Sequence, residues 1–260
     1  MQVPADHPRR ESLILRENVV EALHSGVLAE AGLAAHGRGE AFDYLLGEKT
    51  TKPALKAIRA TAAALLTAKR PVVSVNGNVA ALCPEETVQL AKVVGAKLEV
   101  NLFYESIARE RAIEEVLHKA GAEEVLGVGE AASALIEKVS SRRRQVDPRG
   151  ISSADVILVP IEDGDRTEAL VEMGKTVVSI DLNPLSRTAQ KSHITIVDNI
   201  VRCMPLLIEE AKALSSLPPQ RVTEIYGRYN NSETLAESLE LIKNRLEEIT
   251  SNLRQGESRP

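Results

Sequence analysis

Residues 155–199, DVILVPIEDGDRTEALVEMGKTVVSIDLNPLSRTAQKSHITIVDN, contain three short apolar runs that each end in a polar cluster. The runs are VILVPI at 156–161, TVVSI at 176–180 and HITIV at 193–197. Continuous runs rich in β-branched residues are typical of strands that are buried on both faces of a parallel sheet. Because ligands bind at the carboxyl ends of such strands, the polar clusters predict one crevice for a charged small molecule.

Strands and helices alternate through the preceding part of the chain as well. We predict strands at 71–76, 97–103, 123–128, 155–161, 176–181 and 194–198, and helices at 53–69, 84–94, 105–120, 130–141, 165–173 and 200–214. This alternation predicts an α/β protein with a doubly wound, mostly parallel sheet of about six strands.

Helical segments flank the predicted sheet on both sides. Helices are predicted at 12–25, with Leu13, Val20 and Leu23 on one stripe, and at 28–35. We therefore divide the chain into an N-terminal helical segment (1–70) packed on the core, an α/β core (71–217) and a C-terminal helical tail (218–260).

The tail has a heptad-like apolar stripe, whose members are Leu235, Leu239, Ile242, Leu246, Ile249 and Leu253. A single helix cannot bury such a stripe alone, so the helix needs a partner surface. The same chain and a second subunit both remain open as that partner.

Composition excludes several functional classes. Aromatic residues make up only 2% of the 260 residues and the net charge is −5, which argues against a nucleic-acid-binding surface. The basic run at 142–144 is expected to complement a helix dipole or meet solvent. The two cysteines fit no disulfide framework or metal pattern, and no signal core or membrane-spanning run is present, so we expect a cytoplasmic protein.

Two short motifs imitate nucleotide-binding loops. LGVGEAA at 126–132 contains GxGxxA, but no acidic residue follows at the end of a next strand, as dinucleotide binding requires. GKT at 174–176 precedes a strand instead of opening a helix, so we interpret it as an ordinary turn. These failures argue against an NAD-dependent enzyme.

Arg38 lies between two glycines in HGRGEAFDYLLGEKT, residues 36–50. Glycines let a backbone approach a ligand closely, and a guanidinium can bind phosphate or carboxylate with two hydrogen bonds. The alternative is a helix linker in which Arg38 pairs with Glu40 or Asp43. Spacing alone favours the linker.

Two polar segments that follow predicted strands each have two interpretations. In NGN at 76–78, Asn76 either forms a turn or presents its amide to the crevice. In EDGDR at 162–166, Asp165 could cap the next helix. The remaining acids repel each other unless a cation joins them, and Mg²⁺ carried by a nucleotide is one such cation.

The segment DLNPLSRT at 181–188 is the most specific of the set. Asp181 is well placed for ribose hydroxyls, Asn183 for a base edge, and Arg187 with Thr188 for phosphate. The alternative is an Asx-turn at Asn183 with a solvated arginine. Because the neighbouring strand ends indicate the same crevice, we favour the binding site.

Taken together, HGRGEAFDYLLGE, VSVNGN, VDPRG, EDGDR, SIDLNPLSRTAQ and ITIVDN resemble one archaeal family, the phosphopantothenate synthetases or 4-phosphopantoate–β-alanine ligases of coenzyme A biosynthesis. The likeness runs from about Pro8 to Leu214. It implies a homodimer with a Rossmann-like core that uses ATP to join 4-phosphopantoate to β-alanine through an acyl-adenylate, releasing AMP and pyrophosphate.

The resemblance also implies which residues bind ATP: Arg16, Arg38, Asp181, Leu182, Asn183, Arg187, Thr188, Asn199 and Ile200. Asn76, Asp163 and Arg166 are candidates for the other substrates or for catalysis. Mg²⁺ is expected to arrive with ATP, without a fixed protein metal site, and neither NAD nor flavin is expected. A dinucleotide-dependent oxidoreductase and a non-catalytic nucleotide-binding dimer remain as alternatives, because fold alone does not separate them.

Overall fold

A five-stranded parallel sheet forms the centre of the protein, in a computed structural model that describes residues 4, 6, 7, 9–104, 106–136, 139 and 142–255. Its strands are β1 (Pro71–Val75), β2 (Lys97–Val100), β5 (Val156–Pro160), β6 (Thr176–Ile180) and β7 (Ile194–Ile196). They lie in the order β2-β1-β5-β6-β7, and all pairs are parallel. Two further strands, β3 (Ala134–Leu135) and β4 (Gln145–Val146), form a small antiparallel pair. The predicted α/β class and doubly wound sheet are confirmed.

Helices surround the sheet. They are α1 (Arg10–His24), α2 (Glu30–Leu46), α3 (Lys52–Thr67), α4 (Gly77–Leu82), α5 (Pro84–Val94), α6 (Ile107–Lys119), α7 (Gly164–Glu172), α8 (Arg187–Lys191), α9 (Ile200–Ser215), α10 (Pro219–Gly227) and α11 (Asn231–Gln255). None of these is long and apolar enough to cross a membrane.

The region between residues 123 and 141 differs from the prediction. The predicted strand 123–128 is reduced to a single parallel bridge between Leu126 and Glu99 at the edge of β2. The predicted helix 130–141 is wrong within the described residues, which form a short 3-10 turn at Gly129–Ala131 followed by β3. Residues 137, 138, 140 and 141, and residue 105 of another predicted helix, lie outside the described residues.

The N-terminal helices also depart from the prediction. The predicted helix 28–35 was expected to end at the glycines near Arg38, but α2 continues through both of them to Leu46. On α1, Val19 and Ala22 are the buried residues and Leu23 packs partly buried against the core, whereas Val20 is exposed, so the predicted stripe is wrong at Val20. The short helices α4 and α8 were not predicted at all.

Each face of the sheet has its own apolar cluster. On one face α3, α5 and α9 pack together with residues such as Val73, Leu158 and Val178. On the other face, Ile157 and Val177 pack with Leu170 of α7 and with Ile151 of the preceding irregular segment. Ile136 and Val139, from the segment that was predicted as a helix, belong to the same cluster and cover part of the sheet without being helical. The division into 1–70, 71–217 and 218–260 stays a prediction.

The strand order creates a topological switch point between β1 and β5. The chain leaves β1 toward β2 on one side, and the remaining strands, β5, β6 and β7, follow in order on the other side. In sheets of this type, ligands bind outside the carboxyl ends of the strands at the switch point. Asn76 follows β1 there and Ile161 follows β5.

The tail helix α11 divides its apolar stripe between two environments. Leu235 and Ile242 are buried with Leu46, Ala189 and Val197, so the first half of the stripe packs on the same chain. Farther along, Leu246 is 43% exposed and Leu253 is 71% exposed. The second half of the stripe is therefore largely uncovered.

Candidate active site

A cavity of about 530 Å³ lies between the α1–α2 layer and the carboxyl ends of β5, β6 and β7. Six of the nine residues predicted to bind ATP line it: Arg38, Asp181, Leu182, Asn183, Asn199 and Ile200. The structure thus brings together residues that are up to 162 positions apart, from Arg38 to Ile200. The predicted crevice at adjacent strand ends exists.

Arg38 extends from α2 toward the end of β6. Its neighbour Gly39 lies beside Leu182, where an added Cβ would be 3.4 Å from Cδ1, an ordinary van der Waals distance. The Arg38 guanidinium forms no hydrogen bond or ion pair with any residue in the described part of the chain, so the predicted pairing with Glu40 or Asp43 does not form. Arg38 is an open cation at the cavity wall.

A tight polar turn follows β6. Asp181 Oδ1 accepts a hydrogen bond from the backbone N–H of Asn183 at 2.9 Å, and its Oδ2 accepts one from the Ser186 hydroxyl. Asn183 Oδ1 in turn accepts from the N–H of Leu185 at 2.9 Å, which is the Asx-turn considered as the alternative. Burial raises the pKa of Asp181, while its hydrogen bonds and the Arg38 charge act in the opposite direction. The turn and a ligand-facing role are compatible, since both residues still line the cavity.

An ion-pair network joins the end of β7 to α2. Asn199 caps α9 by accepting from Val201 N–H, and its Nδ2 donates to Asp43 Oδ2 at 3.0 Å. Arg202 donates to both oxygens of Asp43 and to Asp198 Oδ1, and Asp198 Oδ2 accepts from the Thr50 hydroxyl at 2.6 Å.

Sequence reasoning missed this network. The spacing of Asp198, at a strand end, and Arg202, four residues later, was the available signal for an ion pair. The third member, Asp43, lies 155 residues before Asp198, so no local pattern connects it to the pair.

Three predicted ATP-binding residues do not line the cavity. Arg16 on α1 pairs with Glu40 at 2.7 Å. Arg187 on α8 pairs with two carboxylates of α7, and it is exposed. Thr188 is buried, and its hydroxyl donates to the carbonyl of Glu162 at 2.9 Å. Thr188 therefore supports the cavity wall from behind.

The three residues predicted for substrates or catalysis differ in how far they are buried beneath the cavity surface. Asn76 caps α4, and its Nδ2 donates to the carbonyls of Pro160 and Ile161 across the switch point, at 2.9 and 3.1 Å. Asp163 lines the cavity and caps α7, so the predicted cap at Asp165 is wrong. Arg166 is completely buried beneath the wall, where it pairs with Glu162.

Arg143 is the main residue that the sequence interpretation misplaced. It was expected at a helix end or in solvent, yet it is only 6% exposed and pairs with Glu162 and Asp163. Burial, followed by the charge of Arg166, lowers the pKa of Arg143 to about 10, so it stays cationic at neutral pH. Its guanidinium carbon lies 5.9 Å from the Phe103 ring centroid, a cation–π distance.

A second cavity of about 480 Å³ adjoins the first at the switch point. Residues common to both cavities include Arg38, Phe103, Arg143 and Ile161. Ile161 has a φ of 51°, a left-handed conformation that is rare for a β-branched residue and costs about 1–3 kcal/mol. Such strain persists where surrounding structure imposes it, commonly at functional sites.

The chain is similar to known proteins over nearly its whole length. A family model described as phosphopantothenate/pantothenate synthetase matches residues 53–245. A 4-phosphopantoate–β-alanine ligase from Thermococcus kodakarensis is 52% identical over 95% of this chain and 94% of its own length. Proteins of the same name from Methanosarcina mazei and Methanospirillum hungatei are 48% and 41% identical, and the matches cover 96% and 94% of this chain and 97% and 98% of theirs.

Proposed function

The chain belongs to the phosphopantothenate/pantothenate synthetase family, and on that premise we propose that it is an ATP-dependent ligase that joins 4-phosphopantoate to β-alanine in archaeal coenzyme A biosynthesis. The product is 4′-phosphopantothenate, formed through an acyl-adenylate with release of AMP and pyrophosphate. The observation that carries this proposal is 48–52% sequence identity, over nearly the whole chain, with ligases of this name. It is supported by the cavity at the strand ends, which six of the predicted nucleotide-binding residues line.

In this proposal the larger cavity binds ATP. Arg38, which has no carboxylate partner among the described residues, offers its guanidinium to the phosphates. Asp181 faces ribose hydroxyls. Asn199 and Ile200 lie at the N-terminus of α9, where backbone N–H groups favour negative charge. Arg16, Arg187 and Thr188 remain in the proposed ATP-binding set on the family resemblance, although they do not line the cavity here.

Among the residues proposed for substrates or catalysis, Asn76 and Asp163 lie at the cavity walls, whereas Arg166 acts from behind them. Arg166 pairs with Glu162, which also pairs with Arg143. Loss of Arg166 would remove one of the two cations that compensate the buried Glu162 carboxylate, so the proposed role of Arg166 is to hold the wall in place.

The chemistry requires activation because a carboxylate and an ammonium exchange protons rather than condense. A carboxylate oxygen of 4-phosphopantoate attacks the α-phosphorus of ATP, and the bond from that phosphorus to pyrophosphate breaks. The deprotonated amine of β-alanine then attacks the acyl carbon, and AMP leaves with the carbon–oxygen bonding pair. Cationic side chains of the site offset the charge that gathers when two phosphorylated anions meet.

Mg²⁺ is proposed to arrive with ATP and to neutralise phosphate charge when bound. In the part of the chain that the structure describes, no group of three or more His, Cys, Asp or Glu side chains could hold a metal ion. Acidic side chains such as Asp163 line the cavity and could contact the hydration shell of a nucleotide-bound cation.

We also propose that the protein is a cytoplasmic homodimer. The uncovered second half of the α11 stripe, with Leu246 and Leu253, supports a surface for a second subunit. The first half packs internally, so the tail helix would serve both purposes.

A single reaction tests the proposed activity. Purified protein is incubated with ATP, Mg²⁺, 4-phosphopantoate and β-alanine, and the expected products are AMP, pyrophosphate and 4′-phosphopantothenate. ADP as the nucleotide product would instead indicate an acyl-phosphate intermediate. An increase in melting temperature with NAD and none with ATP would favour the oxidoreductase alternative and contradict the proposal.

A further inference from the structure

One face of the edge strand β2 is polar although most of it is buried. Lys97, Glu99 and Asn101 alternate along β2 and the residue that follows it, so their side chains leave the sheet on the same side. Leu98 and Val100 point to the opposite side, into the apolar cluster that includes α5 and α6. Glu99 is 0% exposed and Asn101 is 4% exposed. Buried polar side chains in such a row need hydrogen-bond partners.

The partners are backbone groups of the irregular segment that precedes β5. Lys97 Nζ donates to the carbonyl of Arg149 at 3.0 Å. Glu99 accepts hydrogen bonds from the N–H groups of Asp147 and Ile151, at 2.9 and 2.5 Å. These contacts replace the regular pairing that an additional strand would provide, so the segment lies across the sheet without being a strand.

Asn101 holds the end of this segment that carries Arg143. Its Nδ2 donates to the carbonyl of Arg143 at 3.2 Å and to the carbonyl of Gln145 at 3.0 Å. Its own backbone N–H donates to the carbonyl of Val75, at the end of β1, at 2.9 Å. Because Asn101 is tied to a central strand at the switch point, its amide joins the backbone of Arg143 to the rigid sheet.

The backbone around Arg143 has little regular structure to support it. It forms a short 3-10 turn, Arg142–Arg144, which leads into the two-residue strand β4. β4 pairs with the equally short β3, and a two-stranded pair of this length is marginal by itself. The Arg143 guanidinium, in contrast, must meet Glu162, Asp163 and the Phe103 ring where the two cavities adjoin. Since guanidinium hydrogen bonds are directional, this placement requires a fixed backbone.

We propose that Asn101 is a positioning residue for the ligation reaction, which sets the backbone of Arg143 and thereby the cation at the boundary between the cavities. Asn101 is not among the described residues that line either cavity, so it acts through Arg143 and touches no substrate itself. The inference rests on the proposed function, in which a cation at this boundary offsets the negative charge that gathers as the reacting groups meet. Lys97 holds the far part of the same segment, near Arg149, and has no such role.

Asn101→Leu tests this role, because it removes the amide and leaves two backbone carbonyls without their donor. Measured well below the melting temperature, kcat for ligation should fall about ten- to hundred-fold, the effect expected when a positioned group shifts by about 1 Å. The KM for ATP should change less than about two-fold, because the lost stabilisation belongs to the transition state. Asn101→Ser, which keeps a hydroxyl donor, should lose less activity and serves if Asn101→Leu does not fold.

Lys97→Met is the matched control, since Lys97 binds the same segment from the same strand face but at Arg149. It should leave kcat and KM unchanged. A double-mutant cycle tests whether Asn101 acts through Arg143. In an Arg143→Met background, Asn101→Leu should lower kcat by less than about two-fold further, because the cation that it positions is already gone. Arg143→Lys replaces Arg143→Met in the cycle if the methionine variant does not fold.

Wild-type kcat in Asn101→Leu would overturn the inference. A loss that multiplies in full with that of Arg143→Met, or an equal loss in Lys97→Met, would also overturn it, because either result would indicate a general loosening of the fold.

Hydrogen exchange separates this inference from the proposed function. The backbone amides of residues 143–146 should exchange about ten-fold faster in Asn101→Leu and at the wild-type rate in Lys97→Met. A wild-type protein that shows this pattern in its variants but makes no product would overturn the proposed function alone. Unchanged exchange in Asn101→Leu would overturn the positioning role of Asn101, whether or not the wild-type protein is active.

Discussion

Replacing Arg202 with methionine is the most direct test of the network that holds α2 over the site. Arg202 forms a bidentate pair with Asp43, at 2.5 and 2.9 Å, and reaches Asp198 Oδ1 at 2.8 and 3.1 Å. Asp43 is 5% exposed and Asp198 is 1% exposed, so methionine would leave two buried carboxylates without their shared cation. Breaking a buried pair in this way typically costs about 3–5 kcal/mol. For a domain of this size the loss corresponds to a fall in melting temperature of roughly 10 °C.

The loss should also depend on pH. Burial already raises the pKa of Asp198, and Arg202 opposes that rise. Without Arg202 the folded-state pKa rises further above the unfolded value. A carboxyl group of this kind favours the folded state at low pH, and that contribution disappears as pH rises through the folded-state pKa. The deficit of Arg202→Met relative to wild type should therefore be larger at pH 8 than at pH 5.

Denaturant unfolding at both pH values measures these quantities. Arg221→Met, on the exposed surface of α10, is the control and should change stability by less than about 0.5 kcal/mol. Arg202→Lys should lie between wild type and methionine, since it keeps the charge but loses the bidentate geometry. A deficit for Arg202→Met below about 1 kcal/mol, or one that is the same at pH 5 and pH 8, would refute the reasoning.

Three other predictions follow from the same structure. Burial raises the pKa of Glu99 to about 7, so the stability of the wild-type protein should fall as pH rises from about 5 to 7. Glu99→Gln should flatten that part of a plot of melting temperature against pH, and an unchanged slope would contradict the prediction. Arg38→Ala should reduce kcat/KM for ATP about ten- to hundred-fold. Arg187 already pairs with carboxylates of α7, so Arg187→Ala should have a smaller effect than Arg38→Ala unless that ion pair opens for ATP. Initial-rate kinetics compare the two variants, and wild-type kinetics for Arg38→Ala would exclude Arg38 from the site. Light scattering should detect a dimer in wild type and a monomer when Leu246 and Leu253 are both replaced with serine, and a persistent dimer would mean that the tail stripe is not the interface.

The parallel sheet could be predicted because each of its strands is specified locally. β5 and β6 are short runs rich in β-branched residues, and a strand buried on both faces needs nothing more distant to be recognised. The turn from Asp181 to Asn183 was predictable for the same reason, since Asx-turn hydrogen bonds join residues two positions apart.

The errors occur where tertiary contacts override local preference. Glycine disfavours helix interiors, so Gly37 and Gly39 predicted the end of a helix. In the structure α2 continues through both glycines because it packs against α1 and α11, and its last residue, Leu46, is buried in that contact. The predicted strand 123–128 fails for a related reason. Its central residue, Leu126, finds only Glu99 at the edge of β2 to pair with, so a single bridge forms.

Arg143 shows why the site could be predicted only in part. Three consecutive basic residues at 142–144 normally indicate solvent exposure, and the nearby Asp147 pairs with Arg149 rather than with Arg143. Its partners, Glu162 and Asp163, lie 19 and 20 residues later, after a strand that carries them to the switch point. Burying this arginine is tolerable only when those carboxylates are already in place, and they are held by Arg166 below and by the cap of α7. The charge at the boundary between the cavities is thus a product of the assembled fold, which is why no local pattern reveals it.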